Sequence, residues 1–499
     1  MKKGLKLTSL ILVLIFLTVN IGFCSREQGK MSDEDKKKPP SEAMKIIEKM
    51  NFKPLKCKVP RVGKEIERVV LPNGMILYMM EDHTLPRVKI YGIIRTGEIY
   101  ETKDKHGVAD ITGKVMRSGG TKFKKPGELN EELEFIAADV ETQIGAESGS
   151  IYLFTISSQL DKSLKLFADV LRYPAFAQKE LDLAKSQLKE KIRRQNDDVF
   201  EIGHREFYNL LYGDHPVGWK WDWDVIKKIN RSDLIAWHSR FYKPTNMMFA
   251  IVGDFDKKEM IKKFNKLFGD WKKEKVDFPK IKKVKKEYHP GIYFAVKENV
   301  NQSYIRAGHL GIKRTNPDKY AIKVMNFILG GGGFSSMMTE KIRSDEGLAY
   351  MVFSYFKTDN RDLGNTGTLC TTKSKSTVRV INLIQMIIRK MQSQNVSQAK
   401  LKWAKDSTIN GFVFEFGNPG QQVNKLMMLE YNNMPRDYYE KYLDNIQKVT
   451  VEDVQRVAKK YLDPDKMTIL VVGNPKDFDK PLKSTGIEVK EIKLEDMKE

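Results

Sequence analysis

Short hydrophobic runs recur along the chain and predict β-strands. Residues 70–77 place the turn dipeptide Asn73-Gly74 between two β-prone runs, and this arrangement predicts a hairpin. Residues 88–94 and 150–156 are rich in isoleucine, tyrosine and other strand-forming residues. Together these segments predict four strands in the first half of the chain.

Helical periodicity follows these strands. Apolar residues recur at the three- and four-residue spacing of one helix face, at Leu164, Phe167, Ala168 and Leu171. Pro174 then supplies a stop signal. We therefore expect an α+β fold in which a mostly antiparallel sheet is backed by helices.

The pattern of the first half returns 220 residues later. Four residues of the first half, Asp233, Pro244, Met247 and Gly253, are matched at this offset by Asp453, Pro464, Met467 and Gly473. Three more, Leu181, Ala184 and Lys185, are matched by Leu401, Ala404 and Lys405. Chance does not account for so many matches at one offset, so the chain is a tandem duplication.

The duplication predicts two homologous domains. We place the first at residues 63–280 and the second at 281–485, with their junction in the basic segment 280–289. Two segments precede them: a signal peptide at residues 1–24, and a flexible tether at 25–62 that is rich in Lys, Glu, Ser and Pro.

The first 24 residues have the features of a secretory signal. Three lysines precede the apolar run 10–17, which is too short to span a membrane comfortably. Cys24 stands where a bacterial lipoprotein signal has its lipidated cysteine, but Phe23 replaces the small residue preferred before it. We expect export to the periplasm, and the sequence leaves open a membrane anchor through Cys24.

The formal charge of +22 raises the question of nucleic-acid binding. The lysines are spread along the chain and mixed with acidic residues, and no zinc finger or aromatic-rich RNA-binding motif accompanies them. We therefore expect no nucleic-acid partner and interpret the lysines as a solvated surface. Attraction to anionic lipid headgroups or acidic peptides remains open.

Cys57 and Cys370 are the only other cysteines. Two cysteines in different parts of the chain are too few for a disulfide scaffold. A single bridge between them and a pair of free thiols are both compatible with the sequence, and their spacing does not indicate zinc.

Residues 96–121 resemble a segment of the insulinase, pitrilysin and mitochondrial processing peptidase family that carries the zinc motif His-x-x-Glu-His on a helix. The three motif positions are Asp110, Gly113 and Lys114 in this chain. Zinc needs lone-pair donors at about 2.0–2.2 Å, and hydrolysis needs a carboxylate base. Glycine supplies neither and a protonated lysine repels the cation. We expect no metal site, no cofactor and no catalytic residue in this chain.

Other residues do not replace the missing ligands. The third zinc ligand of the family, a glutamate, corresponds to either Glu190 or Lys191, depending on how the spacing is counted. His106 and Asp110 are four residues apart, but Gly107 marks the expected helix start. We interpret His106 as a solvated loop histidine and Asp110 as a surface residue.

The second domain keeps a different motif. Residues 329–336 hold four consecutive glycines followed by Phe-Ser-Ser, and residues 341–350 end in Gly-Leu-Ala-Tyr; together they resemble the second-domain signature of the family. The resemblance implies that Arg343 and Tyr350 contact the substrate backbone and stabilise the oxyanion formed during hydrolysis. A fixed guanidinium charge and a neutral hydroxyl donor suit that role. No Gly-Lys-Ser/Thr follows the glycines, which argues against nucleotide binding.

The resemblance implies a division of labour between two chains. The family includes heterodimers in which one subunit brings zinc and base while the other closes the chamber and supplies the arginine and tyrosine. We expect this chain to be the second kind, a non-catalytic subunit of an exported peptidase, with a homologous zinc-bearing partner and extended peptides as substrates. The alternative is a peptide-binding or scaffold protein of the same fold without a role in proteolysis. Homodimer and heterodimer both remain open.

Overall fold

The computed structural model describes Glu42, residues 59–359 and residues 361–496. The predicted signal peptide with Cys24, most of the predicted tether and Cys57 lie outside these residues. The chain divides into a segment up to Leu55 and a compact unit from Lys56 to Glu499, and both sheets belong to the compact unit. In the described part of the chain, no helix combines the length and apolar character needed to cross a bilayer.

The first half builds a six-stranded sheet. Its strands are β1 Glu67–Val70, β2 Ile76–Glu81, β3 Arg87–Ile94, β4 Asp139–Ile144, β5 Gly149–Ile156 and β6 Met247–Gly253. They lie in the order β1-β2-β6-β3-β5-β4, and only the β2–β6 pair is parallel. The predicted hairpin is confirmed, because Val70 pairs with Ile76, and the two other predicted segments are confirmed as β3 and β5.

Helices complete the first half, and most of them cover one face of this sheet. They are α1 Val108–Ser118, α2 Pro126–Phe135, α3 Leu160–Arg172, α4 Gln178–Arg193, α5 Val199–Tyr212, α6 Trp223–Ile226, α7 Arg231–Phe241 and α8 Lys257–Phe268. The predicted helical periodicity is confirmed within α3, which ends two residues before Pro174. The apolar stripe of α3 is buried in the first-half core, as the periodicity requires.

The second half repeats this sheet. Its strands are β7 Gly291–Val296, β8 Gln302–Leu310, β10 Ala349–Phe356, β12 Asn365–Lys373, β13 Thr468–Gly473 and β14 Val489–Ile492, and the short pair β9 Ile312–Lys313 and β11 Thr358–Asp359 lies beside them. The order is β10-β12-β8-β13-β7-β14, with β7 parallel to both β13 and β14. Five strands thus occupy the same places as β4, β5, β3, β6 and β2. The predicted α+β fold with two homologous sheets is confirmed, and β14 extends the second sheet beyond residue 485.

Helices likewise complete the second half, and most of them back its sheet. They are α9 Lys319–Asn326, α10 Thr377–Ser393, α11 Gln398–Phe412, α12 Pro419–Tyr431, α13 Tyr438–Gln447 and α14 Val451–Tyr461. Two π-helical segments, Phe327–Gly331 and Thr339–Asp345, replace regular helix between α9 and β10. Cys370, on β12 next to the edge strand, is a buried free thiol, and burial raises the pKa of this thiol to about 12.

The repeated sequence matches have a structural cause. Asp233 and Asp453 occupy the same position in α7 and α14, where each closes a capping box with the preceding Asn230 or Thr450. These carboxylates satisfy backbone N–H groups that have no partner within the first helical turn. The duplication therefore retained helix starts as well as core positions.

Two helices at equivalent positions are exchanged between the halves. Helix α5 of the first half packs on the second sheet, and α12 of the second half packs on the first sheet. The apolar contacts join Ile202, Phe207 and Leu211 to Tyr304, Leu470 and Val472, and join Val423, Leu426 and Met427 to Tyr78, Met248 and Ala250. Arg68 and Glu430 add an ion pair of 2.6 Å across this joint. Because each sheet needs a helix from the other half, the halves are interlocked.

A half-buried carboxyl group also lies at the joint. Glu147 follows β4 in the turn before β5, and its backbone carbonyl accepts a hydrogen bond of 3.3 Å from the Tyr431 hydroxyl of α12. Its carboxyl group lies close enough to that of Asp359 of β11 for the two to share a proton. Burial first, and then Asp359, raises the pKa of Glu147 to about 8.

This raised pKa predicts a loss of stability with rising pH. An unfolded glutamate titrates near pH 4.3, so the folded chain binds more protons at Glu147 and stability falls as pH rises from about 4 through 8. We expect Glu147→Gln to raise the melting temperature at pH 8.5 by roughly 2–4 °C and to change little at pH 4. Thermal melts at both pH values, with the exposed Glu131→Gln as control, test this. A lower melting temperature for Glu147→Gln at pH 8.5 would contradict it.

Candidate functional site

A buried carboxylate fixes the loop before α1. Glu101 accepts hydrogen bonds from the backbone N–H groups of Gly107 at 3.0 Å and Ala109 at 2.7 Å, and lies 2.6 Å from His106 Nδ1. His106 does precede α1, but the expectation that it is solvated is wrong, because this loop folds back on Glu101. The imidazole is 5 % exposed and meets the edge of the Trp219 ring.

Two of the three zinc-motif positions pair with each other. Lys114 Nζ donates a hydrogen bond of 2.7 Å to Asp110 Oδ2 across one turn of α1. The Asp110 side chain is 16 % exposed, so it is more buried than the surface position we expected. Asp110 and Lys114 therefore form an ion pair across one helical turn. In zinc-bearing members of the family these two positions hold the histidines that bind the metal.

The third motif position is closed by backbone packing. Gly113 lies against the edge strand β4, and a Cβ atom there would come within 2.3 Å of Ile144 N. The Thr142 hydroxyl bonds to the Gly113 carbonyl at 2.7 Å and holds the helix on the strand. Gly330 of the second half approaches β10 in the same way, with a hypothetical Cβ 2.4 Å from Ser354 N. No side chain fits at position 113 unless α1 moves away from β4.

The two residues that could correspond to the third zinc ligand of the family, Glu190 and Lys191, have different surroundings. Glu190 lies at the exposed end of α4 and pairs with Arg193 at 2.8 Å. Lys191 Nζ lies 4.7 Å from the centre of the Trp221 ring. Its positive charge acts to lower the pKa of Glu98, a residue beside α1. Burial and then the Glu101 carboxylate raise that pKa to about 7. Of the two candidates on α4, Lys191 is therefore the one that lies towards Glu98 and α1.

These positions do not assemble into a metal site. Among the described residues, no group of three or more His, Cys, Asp or Glu side chains is arranged to hold a metal ion. A glycine and a lysine stand where a base and a ligand would be needed.

Arg343 and Tyr350, in contrast, lie together. The guanidinium carbon of Arg343 is 4.5 Å from the centre of the Phe334 ring and 4.8 Å from that of Tyr350. Phe334 is 66 % and Tyr350 82 % exposed, so the arginine is held between two aromatic faces at the surface. Cation–π contacts fix the plane of the guanidinium and leave its N–H groups free to donate at the edges.

The backbone aims Tyr350 outward. In the pairing of β10 with β12, Ala349 opposes Thr372 and Met351 opposes Thr371, so Tyr350 is the extra residue of a β-bulge. Bulges re-aim a side chain and end regular pairing, and they are common beside functional sites. β10 is also the edge strand of its sheet.

Hydrogen bonds tie the segment around Arg343 and Tyr350 to the sheet. Thr339 Oγ1 in the second π-helical segment donates to the carbonyl of Val352, and Thr372 Oγ1 donates to the carbonyl of Leu348, at 3.2 and 2.6 Å. These bonds tie both sides of the Arg343 turn to the sheet. The exposed pair is therefore presented by a rigid support, as a functional site requires.

The donors of this pair are available to a ligand. In the described part of the chain, no group accepts a hydrogen bond from the Arg343 guanidinium or the Tyr350 hydroxyl. A charged donor and a neutral donor on one exposed surface can bind a peptide carbonyl and stabilise the negative charge that develops on its oxygen.

Two contributors escaped the sequence reading. Phe334 follows the four glycines, and the sequence gives no sign that its ring contacts Arg343. Glu101 gave no local signal, because its partners are brought to it only by the folded loop.

Family comparisons cover both halves of the chain. The family described as "Insulinase (Peptidase family M16)" matches residues 78–218, and the one described as "Peptidase M16 inactive domain" matches residues 228–408. The first match includes the degenerate zinc positions and the second includes Arg343 and Tyr350.

Individual relatives are distant but extensive. An "Uncharacterized zinc protease" of Rickettsia bellii is 26% identical over 57% of this chain and 68% of its own length, and the "Non-peptidase homolog YmxG" of Helicobacter pylori is 23% identical over 83% and 94%. A peptidase M16 inactive domain from Pseudomonas fluorescens has a TM-score of 0.75 at 24% identity, covering 84% of this chain and 99% of that one. A Helicobacter pylori protease has a TM-score of 0.73 at 20% identity, covering 82% and 99%. The structural matches establish the same fold.

Proposed function

The chain belongs to the insulinase family of peptidases, as a member with a degenerate zinc motif, and from this we propose that it is the non-catalytic subunit of an exported two-chain zinc peptidase. In this proposal it closes the peptide chamber and supplies Arg343 and Tyr350 to the active site of a homologous partner. Zinc and the general base belong to that partner.

The observation that carries the proposal is the exposed Arg343–Tyr350 pair. Its hydrogen-bond donors have no acceptor in the described part of the chain, and its backbone is anchored to the sheet. A solvated arginine and a core tyrosine would not need a bulge that turns the tyrosine outward beside the arginine. An acceptor from outside the chain, such as the carbonyl oxygen of a peptide, accounts for both features.

The degenerate zinc positions support a partner that differs from this chain. Two copies of this chain would bring two Arg343–Tyr350 pairs but no base at position 113. A heterodimer with a zinc-bearing homologue would contain the zinc ligands and base from the partner and the Arg343–Tyr350 pair from this chain. We therefore favour a heterodimer over a homodimer.

Reconstitution tests the proposal. The purified chain is mixed with a candidate partner that carries an intact His-x-x-Glu-His motif, and the turnover of extended peptides is measured together with size-exclusion profiles. We propose that each chain alone is inactive and that the mixture is active. A stable complex without activity would favour the alternative, a peptide-binding or scaffold protein.

Export is the remaining part of the proposal. We expect the mature protein to begin at or beside Cys24, since the basic and apolar N-terminal segment has the features of a cleaved signal. Mass spectrometry of the native N-terminus measures the cleavage and any lipid on Cys24. An intact Met1 would contradict export.

A further inference from the structure

A second feature of the second half is an open cavity of about 800 Å³ between α9, α11, α12 and α13. Its lining includes neither Arg343 nor Tyr350. We call it the tyrosine–lysine cavity and define it by Arg314, Lys319, Tyr320, Lys323, Tyr438 and Tyr442.

The cavity holds more positive than negative charge. Four cations line it, and Glu415 is the one acidic residue in its lining. Glu415 pairs with Lys425. No carboxylate of the described residues lies within 4.0 Å of Arg314, Lys319 or Lys323. Three cations therefore face this space without an ion-pair partner in the described chain.

Aromatic rings hold the two lysines in place. Lys319 Nζ lies 4.8 Å from the Tyr438 ring centre and Lys323 Nζ lies 5.0 Å from that of Tyr442. The lysines are four residues apart on one face of α9, so their ammonium groups project into the same space. Burial lowers the pKa of both lysines. The Glu415 carboxylate offsets only part of this effect at Lys323, and Lys319 is lowered further by the charge of Arg314.

The tyrosines add neutral donors. Burial raises the pKa of Tyr438 to about 12, so its hydroxyl keeps its proton at neutral pH and donates rather than repels an anion. Ammonium groups, a guanidinium and phenol hydroxyls around aromatic walls suit carboxylates carried on a chain with apolar parts.

The edge strand β10 connects the two sites. Tyr350 lies near its start, and its last residue, Phe356, lines the tyrosine–lysine cavity. Six residues of strand span about 20 Å. An extended peptide in contact with Arg343 and Tyr350 is therefore long enough to reach the cavity when it has about six further residues.

We propose that the tyrosine–lysine cavity binds the carboxylates of an acidic segment of the peptide substrate, at some distance from the bond that is cleaved. This proposal rests on the proposed function, because it adds an acidic preference to the same peptide-binding role.

Peptide binding by the full chain alone tests the cavity. Fluorescein-labelled twelve-residue peptides with three glutamates at one end are compared with the same peptides carrying glutamines, by fluorescence anisotropy at low and high salt. We expect about tenfold tighter binding of the glutamate peptide at low salt and a reduced difference at high salt. Lys319→Met/Lys323→Met should abolish the preference, and Lys319→Arg/Lys323→Arg should retain it.

Controls separate the cavity from general surface charge. The exposed pair Lys448→Met/Lys459→Met removes the same charge outside the cavity and should keep the preference, and melting curves establish that each variant is folded. Equal binding of glutamate and glutamine peptides, or equal losses in both double variants, would overturn the proposal. Competition by glutarate or phosphate at concentrations similar to the peptide would also overturn it, since the site would then serve small anions.

The two proposals fail in different ways. If the mixture with a partner is active but the chain shows no glutamate preference, the cavity proposal alone is wrong. If the glutamate preference is present and depends on Lys319 and Lys323 but no zinc-bearing partner yields activity, the cavity proposal holds for peptide binding and the proteolytic role fails.

Discussion

In a complex reconstituted with a zinc-bearing partner, we expect Arg343→Ala to lower peptide turnover by about 10²–10³-fold without separating the two chains. The substitution removes a fixed charge that lies between the Phe334 and Tyr350 rings and has no acceptor of its own in the described chain. Such a group acts on the oxygen that becomes negative in the transition state, so its loss changes turnover more than complex formation.

Two further substitutions separate charge from geometry. Tyr350→Phe keeps the ring that contacts Arg343 and removes only the hydroxyl, and we expect a loss of the same order. Arg343→Lys keeps the charge but not the planar group that fits between the two rings, so its turnover should lie between those of wild type and Arg343→Ala.

A matched control is available on the same half. Arg389 of α10 is an exposed arginine that pairs with Asp465 at 2.6 Å, and Arg389→Ala should leave turnover nearly unchanged. The assay combines initial rates with size-exclusion chromatography of each mixed complex. Full turnover by intact complexes of Arg343→Ala and Tyr350→Phe would reduce both residues to structural roles and favour the scaffold alternative.

Local patterns were sufficient for much of the fold. The Asn73-Gly74 hairpin and the α3 stripe depend on neighbours within a few residues, so periodicity and turn chemistry determine them. The 220-residue repeat predicted two similar sheets. It did not predict that α5 and α12 change places, because an apolar helix face specifies burial without specifying which sheet covers it.

The candidate site was likewise predictable from the sequence only in part. Loss of the zinc ligands at Asp110 and Lys114 is a matter of residue chemistry and is visible in the sequence. The burial of His106 depends on Glu101 reaching it through the folded loop, and the lysines of the tyrosine–lysine cavity come from a helix that sequence reading had not singled out. Tertiary contacts of this kind have no local pattern.

Restoring the zinc motif is the second change with a large expected effect. We expect Gly113→Glu to destabilise the fold by about 3 kcal/mol, because its Cβ would lie 2.3 Å from Ile144 N and α1 would have to move away from β4. Burial of a carboxylate against the strand adds to the cost. Because the unit from Lys56 to Glu499 is large and its halves are interlocked, the melting temperature should fall by roughly 3 °C.

The control for this experiment is another helical glycine. Gly127 lies in the first turn of α2 with nothing within 4 Å of a hypothetical Cβ. Gly127→Glu places the same side chain where a negative charge suits the helix N-terminus, so it should change stability by less than about 0.5 kcal/mol. The comparison isolates the close approach of α1 to β4 from the general effect of replacing glycine by glutamate.

Zinc binding by a variant with the restored motif is a separate measurement. The triple variant Asp110→His/Gly113→Glu/Lys114→His restores every side chain of the motif, yet we expect it to bind much less than one zinc per chain, like the unmodified protein. A glutamate at position 113 needs α1 at a greater distance from β4 than the packing around Gly113 and Thr142 allows, and we expect the resulting shift of α1 to displace the ligands at positions 110 and 114. Elemental analysis after dialysis against zinc measures the stoichiometry, and melting curves are recorded beside it. A triple variant with normal stability and one bound zinc would mean that side-chain identity alone separates this chain from its zinc-binding relatives. One zinc per unmodified chain, lost on changing Asp110 or His106, would instead reveal a metal site in the native protein.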